Sequence, residues 1–299
     1  MKTIDLSQYI KSGEGANGSS YDKIGDNSIM LKLYNEDYPE QPIYEELDIA
    51  KKVYQMGVPS PEPGELVTDG RRKGILFKRI VGKRSYARAM ADEPERVEEY
   101  SREFARYCKK LHSTVCPKGL FPDVKDQYAT LLDGVNLFND SQKQIILDFL
   151  ASVPDCDTAL HGDMHIGNVI TTLPKGAPMS DPHEVYFIDL GYFAHGCPLF
   201  DIGMSQNICI FSDEEFRKES FHVGYETTKL VWKYFVDEYF FGPEKNGEKW
   251  FGSDVTPDIV NEKMIKFTAT KLLLVAFNLG FLPGNYIPVV NEAFGFDLK

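Results

Sequence analysis

Three side chains in the second half of the chain, Asp163, Asn168 and Asp189, could together handle a proton and a metal ion. Asp163 and Asn168 lie five residues apart in the segment H-G-D-M-H-I-G-N at positions 161–168. Asp189 follows the apolar run Tyr186–Ile188, where a carboxylate would be costly to bury without a cation or hydrogen-bond donors. An aspartate can accept a proton from a hydroxyl, and an asparagine with an aspartate supplies the oxygen ligands that Mg²⁺ prefers.

The spacing of Asp163 and Asn168 matches the catalytic loop H-R-D-x-x-x-x-N, in which the aspartate accepts the substrate hydroxyl proton and the asparagine binds magnesium. In this interpretation Asp163 is the catalytic base. Asn168 and Asp189 are the metal ligands, and nucleotide phosphates complete the coordination. His161 is interpreted as a structural residue that ties the loop to neighbouring backbone.

The first half of the chain contains a pattern that fits nucleotide phosphates. Gly13, Gly15 and Gly18 form a G-x-G-x-x-G motif between two predicted strands, where backbone without side chains can lie close to phosphates. An ordinary glycine-rich hairpin is the alternative. Lys32 stands in the apolar strand Ile29–Tyr34, where a charge needs a partner or a ligand.

Glu46, on the following predicted helix, is the expected partner of Lys32, and Glu45 is its competitor. We prefer Glu46 because it precedes the core-facing Leu47. The pair would hold the ammonium toward the phosphates. A lysine at a strand edge and a solvated glutamate would explain the same residues without a ligand.

Two other kinds of site remain as alternatives for the second half. His161, Asp163 and His165 alternate along an extended segment and could bind zinc or iron, but this leaves the glycine motif, Lys32 and Asp189 unexplained. A hydrolase is disfavoured because the sequence has no G-x-S-x-G and no cysteine in a recognisable nucleophile context.

The elements that must position these residues change character along the chain. Up to about residue 80 the pattern predicts about five short strands and one helix from Pro39 to Met56, ended by Gly57 and Pro59. Further on, long helices are predicted. Their expected ranges are Glu93–His112, Ser141–Ala151, Asp213–Tyr239 and Asp258–Leu279. We therefore predict an α+β fold with two domains, a nucleotide-binding sheet lobe at 1–80 and a helical lobe with catalytic loop and acceptor site at 81–299.

Charge and composition limit the classes of binding partner and the cellular location that can be expected. The net charge of −12 would repel a phosphate backbone, so nucleic acid is disfavoured as a partner. The same charge suits a cationic substrate, although many proteins are acidic for no such reason. The five cysteines are odd in number and scattered, which fits a reducing cytoplasm. The segment Met1–Ile10 lacks the apolar core of a signal peptide, and the apolar runs are too short to span a bilayer. We therefore predict a cytoplasmic protein that does not associate with membranes.

At this point the sequence resembles the aminoglycoside phosphotransferase and choline kinase family, small-molecule relatives of the protein kinases. The segment at 161–168 is close to its H-G-D-x-H-x-x-N signature, and I-D-L-G at 188–191 stands where its metal-binding segment falls. P-L-F-D-I-G at 198–203 resembles its P-x-x-D-L-A stretch, which implies that Asp201 opens a helix and braces the catalytic loop. The helix bearing Glu46 and ending in G-V-P also matches, and the resemblance places the hinge and nucleotide contacts at Phe77, Lys78 and Ile80.

The resemblance implies a protein kinase-like bilobal fold, with a small N-terminal antiparallel sheet lobe carrying one helix and a larger, mainly helical C-terminal lobe. It also implies ATP and Mg²⁺ as cofactors and a small-molecule hydroxyl as acceptor. Gly162 replaces the arginine and Leu190 the phenylalanine of protein kinases, and no A-P-E follows, which disfavours a protein substrate. A nucleotide-binding pseudokinase and a protein kinase remain as alternatives. Aminoglycosides, choline-like alcohols, amino alcohols and sugars are all open as acceptors.

Overall fold

The computed structural model describes residues 1–15 and 17–299. Ala16, which belongs to the predicted glycine motif, lies outside the described residues. The strands are β1 (Lys2–Thr3), β2 (Tyr9–Gly15), β3 (Gly18–Lys23), β4 (Ile29–Tyr34), β5 (Pro63–Thr68), β6 (Lys73–Lys78), β7 (Arg84–Ser85), β8 (Ala159–Leu160), β9 (Val169–Thr171), β10 (Val185–Phe187) and β11 (Ala194–His195). The α-helices are α1 (Glu40–Gln55), α2 (Tyr86–Asp92), α3 (Val97–His112), α4 (Val124–Gly134), α5 (Asp140–Ser152), α6 (Leu199–Gln206), α7 (Glu214–Phe221), α8 (Tyr225–Phe241), α9 (Asn246–Phe251), α10 (Pro257–Leu279) and α11 (Ile287–Phe294).

The internal contacts of the chain divide it into two compact units. The first consists of Met1–Arg84 and Ile170–Gly191, and the second of Ser85–Val169 and Tyr192–Lys299. Sequence reasoning placed one boundary after residue 80, whereas the first unit also contains the later segment with most of β9 and all of β10. That segment carries Asp189 into the same unit as Lys32.

The first unit is built on a six-stranded sheet in the order β1-β5-β6-β4-β3-β2. Its neighbours pair antiparallel, except for the parallel pair β1 and β5. Helix α1 packs on this sheet through the apolar side chains that recur at helical spacing along one of its faces. The cluster contains Tyr34, Ile43, Leu47, Ala50, Ile75 and Phe77. It holds β4 and α1 together, and these are the elements that carry Lys32 and Glu46.

The second unit is mainly helical. Helix α3 packs along α8, and α10 packs along α6 and α11. One apolar cluster gathers α4, α5, α10 and α11 around the buried Leu132, Ile146, Leu272 and Val290. The short strands β8 and β11 pair antiparallel. Strand β8 leads directly into residues 161–168, the predicted catalytic loop, called the catalytic-loop segment below.

Two predicted helices were too long. The range predicted as one helix from Asp213 to Tyr239 contains two helices, α7 and α8, because His222 adopts a left-handed conformation with φ of 61° that ends α7. The helix predicted from Glu93 begins only at Val97, since Pro94–Arg96 form a separate short 3-10 turn before it.

Helices α6 and α10 approach each other at Gly203. A β-carbon at this position would lie 2.8 Å from the carbonyl carbon of Phe267 and 2.9 Å from the backbone nitrogen of Thr268. The Thr268 hydroxyl donates to Gln206 Oε1 and lies 3.2 Å from the Gly203 carbonyl oxygen. Glycine therefore lets the backbones touch, and the threonine hydroxyl sets the register between the two helices.

A membrane-spanning helix was also sought. Within residues 1–15 and 17–299, no helix combines the length and apolar composition that crossing a bilayer requires.

Candidate active site

Lys32 holds its ammonium between two carboxylates of the first unit. Its Nζ lies 2.6 Å from Glu46 Oε1 and 2.8 Å from Asp189 Oδ1. Burial alone would lower the pKa of Lys32, but Asp189 and Glu46 outweigh it and raise the pKa above its ordinary value. Glu45 instead accepts a hydrogen bond from Gln41 at 2.9 Å. The structure thus brings together the predicted pair and adds Asp189 to it.

Asp189 has an unusual backbone conformation. Its φ of 56° lies in the left-handed region, which residues other than glycine rarely adopt. The residue comes two positions after β10 ends, and its side chain is 53% exposed although Lys32 contacts it. Strained backbone of this kind persists where the surrounding structure enforces it, and it is concentrated at functional sites. The turn directs an accessible carboxylate beside the ammonium.

The glycine motif forms the end of the β2–β3 hairpin. Gly15 pairs with Gly18, and Gly13 pairs with Ser20 after a register shift. Gly18 is buried, and a β-carbon there would lie 2.3 Å from the Leu33 carbonyl oxygen. At least this glycine is needed for β3 to approach β4, whatever the hairpin binds.

The predicted hinge residues differ in their surroundings. Phe77 is buried in the apolar cluster under α1. Lys78 ends β6 with an exposed side chain, and its backbone N–H donates to the Glu62 carbonyl at 2.9 Å. Ile80 is half-buried beyond the strand. Of the three, only Ile80 lies outside the regular sheet.

In the second unit, the catalytic-loop segment holds Asp163 and Asn168 in direct contact. Asn168 Nδ2 donates to the Asp163 carbonyl at 2.9 Å and to its Oδ2 at 3.1 Å. Burial alone would raise the pKa of Asp163, but His165, with Lys271 and His161 next, holds it well below the ordinary value. His165 Nε2 lies 3.5 Å from Asp163 Oδ2. Asp163 is therefore a carboxylate at neutral pH, oriented by its neighbours.

Asp201 supports this loop from α6. It is 1% exposed, and its two oxygens accept the backbone N–H groups of His161 at 2.7 Å and Gly162 at 2.8 Å. His112 Nε2 lies 3.1 Å from Asp201 Oδ2, and His112 Nδ1 lies 2.8 Å from the Tyr239 hydroxyl. Although burial raises the pKa of Asp201, the hydrogen bond with His112 and the nearby backbone keep it below its ordinary value. The carboxylate thus fixes the backbone just before Asp163.

Lys271 is a neighbour of Asp163 that sequence reasoning missed. It lies on α10, contacts the Gly162 carbonyl through a hydrogen bond, and places Nζ 3.8 Å from Asp163 Oδ1. The available signal was a single lysine directly before the apolar run Leu272–Val275, where a charge needs a partner.

The transition-metal alternative finds no support in the geometry. In the part of the chain that the structure describes, no group of three or more His, Cys, Asp or Glu side chains could hold a metal ion. Nδ1 of His161 accepts the Asp163 N–H at 3.3 Å, and Nδ1 of His165 accepts the Gly167 N–H at 3.1 Å. Both rings are engaged with the backbone of the loop.

Comparison with solved structures supports the fold. Aminoglycoside phosphotransferase APH(4)-Ia, in a thermostable mutant bound to ADP and hygromycin B, aligns with a TM-score of 0.60 and 13% identity over 97% of this chain and 95% of that one. Aminoglycoside-3'-phosphotransferase of type VIII aligns with a TM-score of 0.54 and 18% identity over 90% of this chain and 93% of that one. The amicoumacin kinase hAmiN, in complex with AMP-PNP, Ca²⁺ and amicoumacin, aligns with a TM-score of 0.53 and 13% identity over 98% of this chain and 88% of that one.

These likenesses confirm the predicted fold class, a mixed α+β architecture of the kinase-like type with an N-terminal antiparallel sheet and a larger helical part. No curated protein matches the sequence significantly. The sequence profile of the phosphotransferase enzyme family, by contrast, matches residues 12–230, which include every residue of the predicted site. The chain therefore belongs to the phosphotransferase enzyme family, within the protein kinase-like superfamily.

Proposed function

We propose that this protein transfers the γ-phosphoryl group of ATP, with Mg²⁺, to a hydroxyl group of a small molecule. The observation that carries the proposal is the geometry around Asp163. Asn168 donates to its backbone carbonyl and to its carboxylate, and Lys271 Nζ lies 3.8 Å from its Oδ1. Asp201 holds the N–H of the preceding residue, Gly162. A carboxylate fixed in this way can accept a hydrogen bond from an acceptor hydroxyl and align its oxygen for attack.

Asp163 does not need strong basicity for this role. In a loose phosphoryl-transfer transition state the acceptor proton leaves late, so a carboxylate with a low pKa can orient the hydroxyl early and take the proton afterwards. In the first unit, Lys32 would offset negative charge on the nucleotide phosphates, with Glu46 holding its ammonium in place. The glycine hairpin, with Gly13, Gly15 and Gly18, remains proposed as a phosphate contact, and Phe77, Lys78 and Ile80 as the hinge that binds the nucleotide.

The chemistry of Asn168 and Asp189 fits magnesium. Both Asn168 bonds to Asp163 use the amide nitrogen, which makes Oδ1 the atom for a metal, and Asp189 offers an accessible carboxylate. Mg²⁺ takes one or two such oxygen ligands together with phosphate oxygens and, when bound, neutralises charge that develops on the transferred group. We therefore propose Asn168 and Asp189 as the protein ligands.

The acceptor is proposed only as a class. The neighbouring structures hold hygromycin B or amicoumacin, so amine-bearing hydroxyl compounds are the first group to test on this acidic chain of net charge −12. Choline-like alcohols, amino alcohols and sugars form the rest of the panel. GTP is compared with ATP as donor.

The experiment is an ADP-release screen over this panel, with phosphorylated product identified by mass spectrometry. For an acceptor that is turned over, Asp163→Asn should lower kcat by about 10²- to 10⁴-fold, because the group that orients the hydroxyl and takes its proton is lost. The Kd for Mg·ATP should stay close to the wild-type value. Transfer at the wild-type rate by Asp163→Asn would refute the role of Asp163.

Two results would favour other functions. A thermal shift with Mg·ATP but no transfer to any compound would indicate a nucleotide-binding protein without transferase activity. Labelling of generic protein substrates, but not of small alcohols, would indicate a protein kinase.

A further inference from the structure

Lys271 is a buried cation at the edge of the catalytic-loop segment. Its side chain is 3% exposed, and it reaches the loop from α10 although it lies 109 residues beyond Gly162 in the sequence. A buried ammonium is expensive unless opposite charge and acceptors satisfy it, and an apolar residue of similar volume is often as stable. A lysine at this depth therefore calls for an explanation beyond packing.

Lys271 makes polar contacts with the loop and a cation–π contact with Tyr192. The ammonium donates to the Gly162 carbonyl, lies 3.8 Å from Asp163 Oδ1, and sits 5.5 Å from the centre of the Tyr192 ring. The carboxylate supplies opposite charge, and the ring face attracts a cation. Burial lowers the pKa of Lys271, and Asp163 and Asp201 counteract this in part.

Lys271 and Asp201 hold the two sides of one residue. Asp201 Oδ1 accepts the Gly162 N–H at 2.8 Å, while Lys271 binds the Gly162 carbonyl. Gly162 has a φ of 78°, and a β-carbon there would lie 1.9 Å from the Tyr192 carbonyl oxygen, so its backbone is also confined sterically. Both peptide groups of Gly162 are thus fixed, and the second of them leads directly into Asp163.

The helix pair places Lys271 in register with this loop. Gly203 on α6 allows contact with α10 at Phe267 and Thr268, and Lys271 follows Thr268 by one helical turn. Asp201 lies two residues before Gly203 on the same helix. The contact between α6 and α10 therefore fixes the positions of Asp201 and Lys271, the two residues that hold Gly162.

We propose that Lys271 is a positioning residue for the phosphotransfer reaction, whose ammonium holds the Gly162 carbonyl and the Asp163 carboxylate so that Asp163 is directed at the acceptor hydroxyl. The catalytic part of this inference depends on the proposed function. The structural part, that Lys271 orders the loop, does not.

The kinetic test compares Lys271→Met with Lys109→Met. Lys109 is a matched control in the same unit, because it is also a buried lysine, 8% exposed, but its partners are Glu238 at 3.0 Å and Glu244 at 2.6 Å. Lys271→Met should lower kcat by about 10- to 100-fold while the KM for nucleotide changes less than about threefold, since misplacing the base impairs chemistry more than binding. Lys109→Met should leave kcat unchanged.

The second test measures amide hydrogen exchange of residues 161–168 by mass spectrometry in the full-length protein. Exchange in this segment should be faster in Lys271→Met and unchanged in Lys109→Met. If Lys271→Met does not fold, Lys271→Gln, which keeps a donor for the carbonyl but not the charge, is judged by the same criteria. A folded variant with wild-type kcat and wild-type exchange would overturn the proposal.

The two proposals can fail separately. If the wild type transfers phosphate to no acceptor, the proposed function fails, and hydrogen exchange alone decides whether Lys271 orders the loop. If the wild type is active and the Lys271 variants match it, only the inference about Lys271 fails.

Discussion

Lys32 shows how a single side chain can reveal its role through its surroundings. It stands in an apolar strand, is flanked by Glu46 and Asp189, and keeps its charge because those two carboxylates outweigh its burial. Its spacing to either acid in the sequence is not informative by itself, since the three residues come from a strand, a helix and a turn. An ammonium held in this way can face phosphates without moving when they arrive.

The choice between Glu46 and Glu45 can be tested at this scale. Glu46→Gln removes the charged bond to Lys32, which is worth about 1.5–3 kcal/mol, so kcat/KM for ATP should fall about 10- to 100-fold. Glu45→Gln is the control, because the Glu45 carboxylate accepts a hydrogen bond from Gln41 instead of Lys32. Steady-state kinetics with a confirmed acceptor measure both variants. Equal effects of the two substitutions would contradict the assignment.

At the scale of elements, the two helices α6 and α10 decide the geometry of the catalytic loop. Asp201 and Lys271 stand one on each helix and hold Gly162 from two sides. The predicted helix from Asp258 to Leu279 is nearly identical to α10, so its existence was clear from the sequence, but its partner was not. The contact at Gly203 supplies that missing information.

Gly203→Ala tests the importance of this contact. The added β-carbon would lie within 3 Å of the α10 backbone, so α10 must shift, with a loss of stability of about 1–3 kcal/mol. Because Lys271 moves with α10, kcat should fall as well. Gly284→Ala is the control, since a β-carbon there meets no atom within 4 Å. Denaturant unfolding measures the loss of stability, and transfer kinetics measure kcat. If Gly203→Ala is destabilised but keeps the wild-type kcat, the position of α10 does not affect catalysis.

At the scale of the whole molecule, the chain carries 45 acidic residues and 33 basic ones, so its net charge and its stability both depend on pH in the acid range. Most exposed carboxylates contribute little to stability, whereas Asp201 is buried and bonded to His112 and to two backbone N–H groups. Its pKa lies below the ordinary value of 3.8 in the folded protein. Such a group stabilises the fold above the pKa it has when unfolded, and this contribution is lost as the pH falls through the lower, folded value.

Acid unfolding should therefore distinguish Asp201→Asn from the wild type. At pH 7 the variant should be less stable by about 1–3 kcal/mol, because the charged acceptor of three bonds is replaced by a neutral amide. The difference should shrink as the pH falls from 3.8 through the lower pKa of the folded protein, because the wild-type carboxyl becomes protonated over this range and loses its charge. Urea unfolding at a series of pH values measures it. A difference that does not change with pH would show that the charge of Asp201 does not contribute to stability.

Much of the fold and the site was accessible from the sequence because the signals are local. Asp163 and Asn168 belong to one loop, so their spacing was enough to predict that they share a site, and helix α1 could be predicted from its periodic apolar residues and Gly57. The break at His222 was not accessible, because a left-handed non-glycine residue leaves no reliable mark in the pattern.

The sequence by itself determined the family, the fold class and the chemical types of the predicted residues, because each depends on residues close together in the chain or on periodic patterns. Only the tertiary structure decided that Asp189 joins Lys32, that His112 binds Asp201, and that Lys271 binds the loop. These contacts join residues separated by 157, 89 and 109 positions. They depend on how strands and helices pack and on their register, which neither periodicity nor the spacing within a motif specifies.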